Sequence, residues 1–462
     1  MKKLIEKVKR EDAVLIGAGL IILAALFIRW LGTDGDKTAA GIAAAVLSAV
    51  LFAAFGVRFV GAWMDQWRSM RENGRVRMIR EPVRPAVLIR IAVVCLAACA
   101  AALLLVYIFQ LAGGSRQRFS DAVRIWERLD SQHYLDIARD WYLSDAELDR
   151  RVQLVFLPGY PMAIRLVHLV IRDWLAAGFA VSSLSFAGAG VMLYRLARLD
   201  TDHAGALRAL KYTLILPGAF FFAAPMSESL FFLLSVSCLY CLRRGGWLAA
   251  GVLGGLAAFT RSLGITLLVP AGYIWLTELI ASVPEGEKRT PVSRRAAQLA
   301  ALLLIPAGFG AYCLVCRSVS GDAFKFLEYQ REHWNQSAGL FFSTAAYQTE
   351  YALGKYASGE LDILMGLWVP NLLCSFGALA VMMFAARRIK PAYSAYFLAY
   401  YVIAVGTTWL LSAPRYLTAC APLPLALSGL TEDRRTDDVL TVVLTVLYAL
   451  YAMCMANRWQ VW

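Results

Sequence analysis

The sequence predicts an all-α protein that crosses a membrane many times. Of its 462 residues, 59% are hydrophobic and only 17% are charged, and the mean hydropathy is +0.57. Apolar runs long enough for a helix to cross a hydrocarbon core of about 30 Å recur along the chain. The loops between them are rich in Lys and Arg. The net charge of +13 is therefore explained by basic cytoplasmic loops near anionic lipids, and it does not indicate nucleic-acid binding.

About thirteen crossings are predicted from these apolar runs. The first three cover residues 13–30, 39–63 and 86–111. The basic N-terminus leads into the first run without a signal cleavage site, so this run is predicted to remain as a helix. The positive-inside rule places the N-terminus and the loop 64–85 in the cytoplasm, because the loop contains Arg68, Arg71, Arg75, Arg77, Arg80 and Arg84.

The segment 115–172 follows the third crossing and is predicted to lie outside the membrane. It is too charged to span as a whole, and within it residues 154–171 are predicted as an amphipathic helix at the membrane interface. The chain then returns inward at 174–198. Four short helices follow at 212–224, 228–242, 247–259 and 262–279. Helices this short predict a cavity around their ends, where irregular backbone is tolerated.

A second external segment, 320–364, is predicted after a cytoplasmic loop at 281–295 and a crossing at 296–319. The last crossings are 365–386, 392–411, 416–430 and 439–455. We divide the chain into three parts. Residues 1–85 hold two extra N-terminal helices and the basic loop. Residues 86–319 form a module that includes the external loop 113–172, and residues 320–462 hold the second external segment and the last helices.

The nine cysteines do not predict a metal site. Cys238 and Cys241, like Cys313 and Cys316, have the spacing of metal ligands. All nine cysteines lie in apolar segments without a nearby histidine, where cysteine commonly serves as a small buried hydrophobe.

Asp130 is the first candidate for a functional residue, because it lies in the first external segment soon after the third crossing. If a helix begins here, His133 and Tyr134 lie one turn later on the same face. Asp130 and His133 can then reach one site together. A role for Asp130 as the N-cap of that helix is equally consistent with the sequence.

Other charged residues interrupt the short apolar helices. Ser227 and Glu228 lie between two of them, where a capping role is also open. Arg261 and Arg415 have no acidic neighbour in sequence, so each either extends to the interface or faces an anion. Together these residues predict an outer-face site that holds a phosphate and removes a proton.

Five motifs, in order, resemble those of the PIG-V mannosyltransferases, which add the second mannose to glycosylphosphatidylinositol. The segment from Arg128 to Ala138 resembles the family's first luminal loop, with Leu129 in place of a Trp. The remaining motifs are Phe156-Leu157-Pro158-Gly159-Tyr160-Pro161, Phe221-Phe222-Ala223-Ala224-Pro225-Met226-Ser227-Glu228-Ser229, Thr260-Arg261-Ser262-Leu263-Gly264, where the family has Asn at Leu263, and Pro414-Arg415-Tyr416.

The resemblance implies a GT-C glycosyltransferase in the plasma membrane. Such an enzyme transfers mannose or a related hexose from a polyprenyl-phosphate sugar, with inversion, to a hydroxyl of a lipid-linked or cell-envelope glycan on the outer face. Asp130 is then the general base. The substrate-binding residues are His133, Tyr134, Ser227, Glu228, Arg261, Arg415 and Tyr416. No metal or other cofactor is expected, and the need for a partner subunit stays open.

Two other functional classes fit a polytopic protein. A lipid or sugar transporter or flippase would distribute polar residues over two symmetric halves, whereas here they gather toward one face. A lipid-linked sugar ligase or acyltransferase is the other class. An acyltransferase would require a histidine within the membrane, and none of the four histidines, His133, His168, His203 and His333, lies in the middle of a predicted crossing.

Overall fold

The computed structural model describes residues 10–33, 37–73, 82–142, 150–281 and 290–461, and these ranges form an all-helical bundle. Within them there is no strand, only an isolated antiparallel bridge between Ala338 and Thr407. The predicted all-α class is confirmed. Of the arginines in the basic loop, Arg75, Arg77 and Arg80 lie outside the described residues.

The first part of the chain contains three long helices and two short ones. Pro85 starts the third long helix at a position where proline is tolerated, because the first helical N–H has no acceptor within the helix. A 3-10 turn, Val123–Glu127, leads from the fourth helix toward the fifth. The helices are α1 Arg10–Leu31, α2 Ala39–Asn73, α3 Pro85–Ala112, α4 Phe119–Ala122 and α5 Asp130–Asp140.

The middle of the chain alternates helices with short 3-10 turns. The turns are Arg150–Val155, Ala219–Phe222 and Ser262–Leu267. Each of the last two interrupts an apolar run that a membrane helix would otherwise fill. The helices are α6 Gly159–His168, α7 Trp174–Ala197, α8 His203–Ile215, α9 Glu228–Arg243, α10 Trp247–Thr260 and α11 Leu268–Ile280.

The last part contains the second external segment and the closing helices of the bundle. A π-helical turn, Leu364–Trp368, joins the helices on either side of it. The helices are α12 Val292–Leu302, α13 Leu304–Ser320, α14 Lys325–Trp334, α15 Phe341–Ser358, α16 Leu361–Ile363, α17 Val369–Ala385, α18 Pro391–Val405, α19 Ala413–Thr418, α20 Pro422–Leu430 and α21 Arg434–Ala456.

The chain is a multi-pass membrane protein. Eight helical segments of the described residues are long and apolar enough to cross a membrane. The other five predicted crossings fall on shorter helices. Three of them correspond to α9, α10 and α18, which have 16, 14 and 15 residues. The crossing predicted at 212–224 shares only residues 212–215 with the 13-residue α8, and most of the crossing predicted at 416–430 lies in the 9-residue α20. A full crossing needs about 20 residues. Of the four helices predicted to be short, those at 212–224, 228–242 and 247–259 are confirmed as shorter than a crossing, whereas 262–279 lies in Ser262–Ile280, which is long enough to cross.

Several predicted boundaries were wrong because proline and glycine end the helices early. The crossing predicted at 212–224 stops at Ile215, since Pro217 cannot continue the helix and disfavours helical backbone in the residue before it. The crossing predicted at 416–430 is divided between α19 and α20, with Pro422 starting the second helix. The interface helix predicted at 154–171 is helical only over α6. The crossing predicted at 392–411 ends at Val405, before Gly406.

The two N-terminal helices pack against the last part of the chain. Phe52 of α2 lies with its ring centroid 4.4 Å from that of Phe341 at the start of α15. Glu350 of α15 accepts hydrogen bonds of 2.9 Å from both the backbone N–H and the hydroxyl of Thr38. Helix α2 and the turn before it are therefore attached to α15, which lies within the segment 320–364.

Candidate active site

Asp130 is the first residue of α5 and points its carboxylate at an arginine. Leu129, before it, has φ 62° and ψ −141°, a backbone conformation that is strained for a leucine. The N-cap position belongs to Leu129, and no side chain caps this helix. Asp130 Oδ2 instead lies 2.8 Å from Arg415 Nη2. The capping alternative for Asp130 was therefore wrong.

Arg415 connects Asp130 to Glu228. Its Nε and Nη2 atoms lie 2.9 and 2.7 Å from Glu228 Oε1. Helix α19 carries Arg415 and α9 begins at Glu228, so two short helices meet α5 through a single guanidinium. Two carboxylates that are distant in sequence thus share one cation.

Arg261 is the second cation of the cluster. Its Nη1 atom donates to Glu228 Oε1 at 2.6 Å and to Ser227 Oγ at 3.2 Å, and its guanidinium lies 5.0 Å from the ring centroid of Tyr416. Ser227 occupies the N-cap position of α9 without making a side-chain capping bond. The capping alternative for Ser227 and Glu228 was therefore wrong as well.

The four charged side chains differ in their exposure to solvent. Glu228 and Arg415 are 1% exposed, Arg261 is 10% exposed, and Asp130 is 26% exposed. The two cations and two anions balance, which is the arrangement that permits charges in a low-dielectric interior. Asp130 is therefore the member of the cluster most accessible to a reactant.

Hydrogen bonds join three of the sequence motifs behind this cluster. The Tyr134 hydroxyl and Ser227 Oγ lie 2.9 Å apart. Tyr160 lies one layer deeper, with its hydroxyl 2.7 Å from Ser182 Oγ, and Ser182 donates to the carbonyl of Ala224 at 2.6 Å. Each buried hydroxyl has a partner, so this layer fixes α5 and α6 against the start of α9.

An aromatic group forms the outer side of the site. The His133 ring stacks on Phe156 with centroids 4.6 Å apart, and Trp334 of α14 approaches Phe156 edge-on at 5.8 Å. Gln153 Nε2 lies 3.3 Å from His133 Nδ1. Burial lowers the pKa of His133 below its ordinary value, while the carboxylates of Asp130 and Asp136 act in the opposite direction. The segments 115–172 and 320–364, both predicted to be external, therefore meet at His133.

Gly159 and Thr260 bring the proline-rich motif into contact with the Arg261 motif. A Cβ atom on Gly159 would lie 2.5 Å from Thr260 Oγ1 and 2.9 Å from Thr260 Cα. Only glycine permits this approach of α6 to the end of α10. The contact holds the external segment directly above the turn that carries Arg261.

All eight predicted site residues lie in or beside this cluster. Asp130, Glu228, Arg261 and Arg415 are ion-paired, Tyr134 and Ser227 support them, and His133 and Tyr416 lie at the edges. Sequence reasoning missed Gln153 and Trp334, since neither belongs to a recognisable motif. In the described part of the chain, no group of three or more His, Cys, Asp or Glu side chains is arranged to hold a metal ion.

Residues 115–305 match a protein-family model described as Mannosyltransferase (PIG-V). This segment is PIG-V-like. The mouse (Mus musculus) protein named GPI alpha-1,6-mannosyltransferase 2 is 34% identical over 153 residues, which are 30% of this chain and 30% of the mouse protein. The resemblance drawn from the motifs is confirmed over the PIG-V-like segment, which contains Asp130, Glu228 and Arg261 but not Arg415.

Two solved structures are similar over most of the chain at low sequence identity. The crystal structure of ArnT from Cupriavidus metallidurans bound to undecaprenyl phosphate is 15% identical, covers 73% of this chain and 74% of its own, and has a TM-score of 0.43. AglB from Archaeoglobus fulgidus, in complex with an inhibitory peptide and a dolichol-phosphate, is 12% identical, covers 79% of this chain and 55% of its own, and has a TM-score of 0.38. These likenesses are distant.

Proposed function

We propose that this protein is a membrane glycosyltransferase of the GT-C type that transfers mannose, or a related hexose, from a polyprenyl-phosphate sugar to a hydroxyl acceptor. The chain spans about 30% of the length of the curated relative that it matches, so the activity of the whole protein is inferred. The observation that carries the proposal is the partly exposed Asp130 carboxylate, held by a buried charge cluster inside the PIG-V-like segment.

Asp130 acts as the general base in the proposed reaction. It accepts the proton of the acceptor hydroxyl as that oxygen attacks the anomeric carbon of the donor sugar. The bond between the anomeric carbon and the phosphate oxygen breaks, and its electron pair leaves with the lipid phosphate. Direct displacement inverts the anomeric carbon, so a β-linked donor gives an α-linked product. Only one carboxylate is required, because no covalent sugar intermediate forms.

Arg415 and Arg261 have different tasks in this reaction. Arg415 is buried and already bound by two carboxylates, so we propose that it orients Asp130. Arg261 lies beside the Tyr416 ring and is slightly more exposed. It is the better placed of the two to balance the charge of the leaving phosphate. Ser227 and Glu228 fix Arg261 in place.

His133 and Tyr134 complete the proposed substrate contacts. The stacked rings of His133 and Phe156, with Trp334 at their edge, offer an apolar wall against which a sugar ring packs. His133 also offers a ring nitrogen to a hydroxyl of the acceptor or sugar. The leaving group is a phosphate monoester rather than a nucleotide diphosphate, so we propose that transfer does not require a metal ion or another cofactor.

The proposed acceptor is a lipid-linked or cell-envelope glycan on the outer face of the plasma membrane. The positive-inside distribution of Lys and Arg supports this orientation, since the basic ends of the long helices, at Arg71 and Arg195, lie opposite Asp130 in the bundle. The relative's name assigns it an α-1,6 linkage to a glycosylphosphatidylinositol. For this protein we propose only an α linkage.

The decisive experiment measures sugar transfer by the purified protein in liposomes. Radiolabelled polyprenyl-phosphate mannose is the donor, and a lipid extract of the source membrane supplies the acceptor. Asp130→Asn is expected to lower the rate by about 100-fold or more, the range of a lost general base. The matched control is Asp136→Asn on the same helix, whose carboxylate pairs with Arg139 at the surface. It is expected to retain the wild-type rate.

The thermal midpoint of each variant shows whether it is folded. Full transfer by folded Asp130→Asn would remove Asp130 from the catalytic role. Labelled donor that appears in the opposite leaflet without forming a glycan would instead favour the transporter or flippase alternative.

A further inference from the structure

A cavity with several charged residues in its wall lies at the other end of the bundle from Asp130. It has a volume of about 780 Å³. Helix α9 runs from the charge cluster to the cavity. It begins at Glu228 in the cluster and ends at Arg243, which donates hydrogen bonds of 2.7 and 2.8 Å to the Asp200 carboxylate on the cavity wall. A helix of 16 residues is about 24 Å long. The cavity is therefore separate from the proposed reaction site.

Most acidic side chains of the cavity wall are already bound by the protein itself. Asp200 binds Arg243 and also accepts a hydrogen bond of 2.9 Å from Tyr393. Asp202 caps α8 by accepting from the backbone N–H of Gly205 at 2.8 Å. Asp65 pairs with Arg68 at 2.9 Å. Asp200 and Asp65 are thus each bound by an arginine, whereas Asp202 is bound only by a backbone N–H.

The basic side chains of the wall are not balanced in the same way. Within the described ranges, Arg387 and Arg388 form no ion pair, and Lys390 reaches Asp200 only at 3.9 Å. Arg388 Nη1 donates to the carbonyl of Gly429 at 3.2 Å. Arg208 also lines the cavity, but it interacts with the Asp437 carboxylate. The wall carboxylates without an ion pair among the described residues are Asp202 and Glu432, so Arg387, Arg388 and the weakly held Lys390 exceed them by one positive charge.

A further arginine beside the wall strengthens this excess. Arg58 of α2 is close enough to Arg387 and Arg388 for mutual repulsion. Its Nε atom is buried and has no hydrogen-bond partner among the residues that the structure describes. An anion that enters between these arginines would reduce their mutual repulsion, and it could also accept a hydrogen bond from a donor that lacks a partner.

We propose that this cavity binds a phosphate-bearing anion through Arg387, Arg388 and Lys390. Guanidinium groups bind phosphate oxygens in pairs, which suits two adjacent arginines at the mouth of the cavity. The phosphate comes either from the headgroup of an anionic phospholipid or from a soluble phosphate ester. The proposal does not depend on the reaction at Asp130.

The test compares two probes on the purified full-length protein. One is phosphatidylglycerol in nanodiscs, with phosphatidylcholine nanodiscs as the neutral reference, and the other is soluble glycerol phosphate. The thermal midpoint is expected to rise with phosphatidylglycerol content. A rise with that lipid alone identifies a lipid headgroup, and a rise with glycerol phosphate as well identifies a soluble ester. Either result supports the site.

The rise of the thermal midpoint with probe concentration gives an apparent affinity. In the double variant Arg387→Gln/Arg388→Gln, this apparent affinity for the effective probe is expected to be at least about tenfold weaker. The matched control is Arg434→Gln/Arg435→Gln, which removes two exposed arginines at the start of α21 and is expected to bind as wild type. If the double variant does not fold, Arg388→Gln alone carries the test. No response to either probe, an unchanged response in the variant, or an equal loss in the control would overturn the proposal.

Discussion

At the scale of single residues, the charge cluster is organised around Arg415. This guanidinium is 1% exposed and lies within 2.8 Å of both Asp130 and Glu228. One buried cation between two carboxylates would leave a net negative charge, and the second cation, Arg261, restores neutrality. The position of the Asp130 carboxylate is thus set by the buried Arg415.

Removing Glu228 tests this charge balance. Glu228→Gln leaves two buried arginines with one carboxylate, and breaking a buried pair in this way typically costs about 3–5 kcal/mol. The double variant Glu228→Gln/Arg261→Gln is neutral again, so we expect it to have a higher thermal midpoint than Glu228→Gln alone. If the thermal midpoint of the double variant fell by the sum of the decreases measured for Glu228→Gln and Arg261→Gln alone, the proposed coupling between these charges would be contradicted.

The pKa of His133 predicts a pH dependence of stability. Burial lowers this pKa from its ordinary value of 6.5, so the unfolded chain takes up the proton before the folded protein does. The contribution of neutral His133 to the free energy of unfolding is fully present above pH 6.5. It is lost as the pH falls through the lowered pKa of the folded state. His133→Gln removes the titrating group. Its thermal midpoint should fall less than that of the wild type between about pH 7.5 and about pH 5.

The four charged residues of the cluster were predictable from the sequence, but their pairing was not. A charged residue that interrupts an apolar run is rare enough to indicate a function, and this selected Glu228, Arg261 and Arg415. The sequence favoured arginines that face an open anion site. Arg415 instead binds Glu228 across 187 positions of the chain, a contact set by tertiary packing that local patterns do not encode. The role of Trp334 in the site was missed for the same reason.

At the scale of elements, half-length helices place charged residues inside the bundle. Helix α10 ends at Thr260, and the 3-10 turn Ser262–Leu267 follows, so Arg261 lies in extended backbone between them. The sequence predicted this interruption from the Thr-Arg pair. The early end of α8 was missed because Pro217 lies inside a run that is otherwise apolar throughout, and hydropathy alone gives no sign of a break.

A pair of glycine substitutions tests the turn that carries Arg261. A Cβ atom on Gly264 would overlap the backbone of Ala257 and Ala258, so Gly264→Ala must push the turn away from α10. We expect a lower thermal midpoint and at least about a tenfold loss of transfer, because Arg261 moves from Glu228. Gly272→Ala in α11 is the control, since its Cβ would meet nothing within 4 Å. A normal rate in Gly264→Ala would show that the turn does not position the site.

At the scale of the whole molecule, the two ends of the bundle have different chemistry. One end holds the neutral cluster at Asp130 under two external segments that meet at His133. The other end holds the cavity with unpaired arginines and the basic ends of the long helices, such as Arg71 at the end of α2 and Arg195 at the end of α7. This asymmetry is the physical basis for an orientation in the membrane.

The orientation itself is the last prediction, and reporter fusions measure it. We expect alkaline phosphatase fused after Gly114 to be active, because α3 delivers the chain to the outer face at the Asp130 end. Green fluorescent protein fused after Arg198 should fluoresce, because α7 ends at the basic, cytoplasmic end. The reversed pattern would place Asp130 in the cytoplasm, where nucleotide sugars are available. The leaving group would then be a nucleotide diphosphate, which usually requires a metal ion, and the argument for a polyprenyl-phosphate donor would lose its basis.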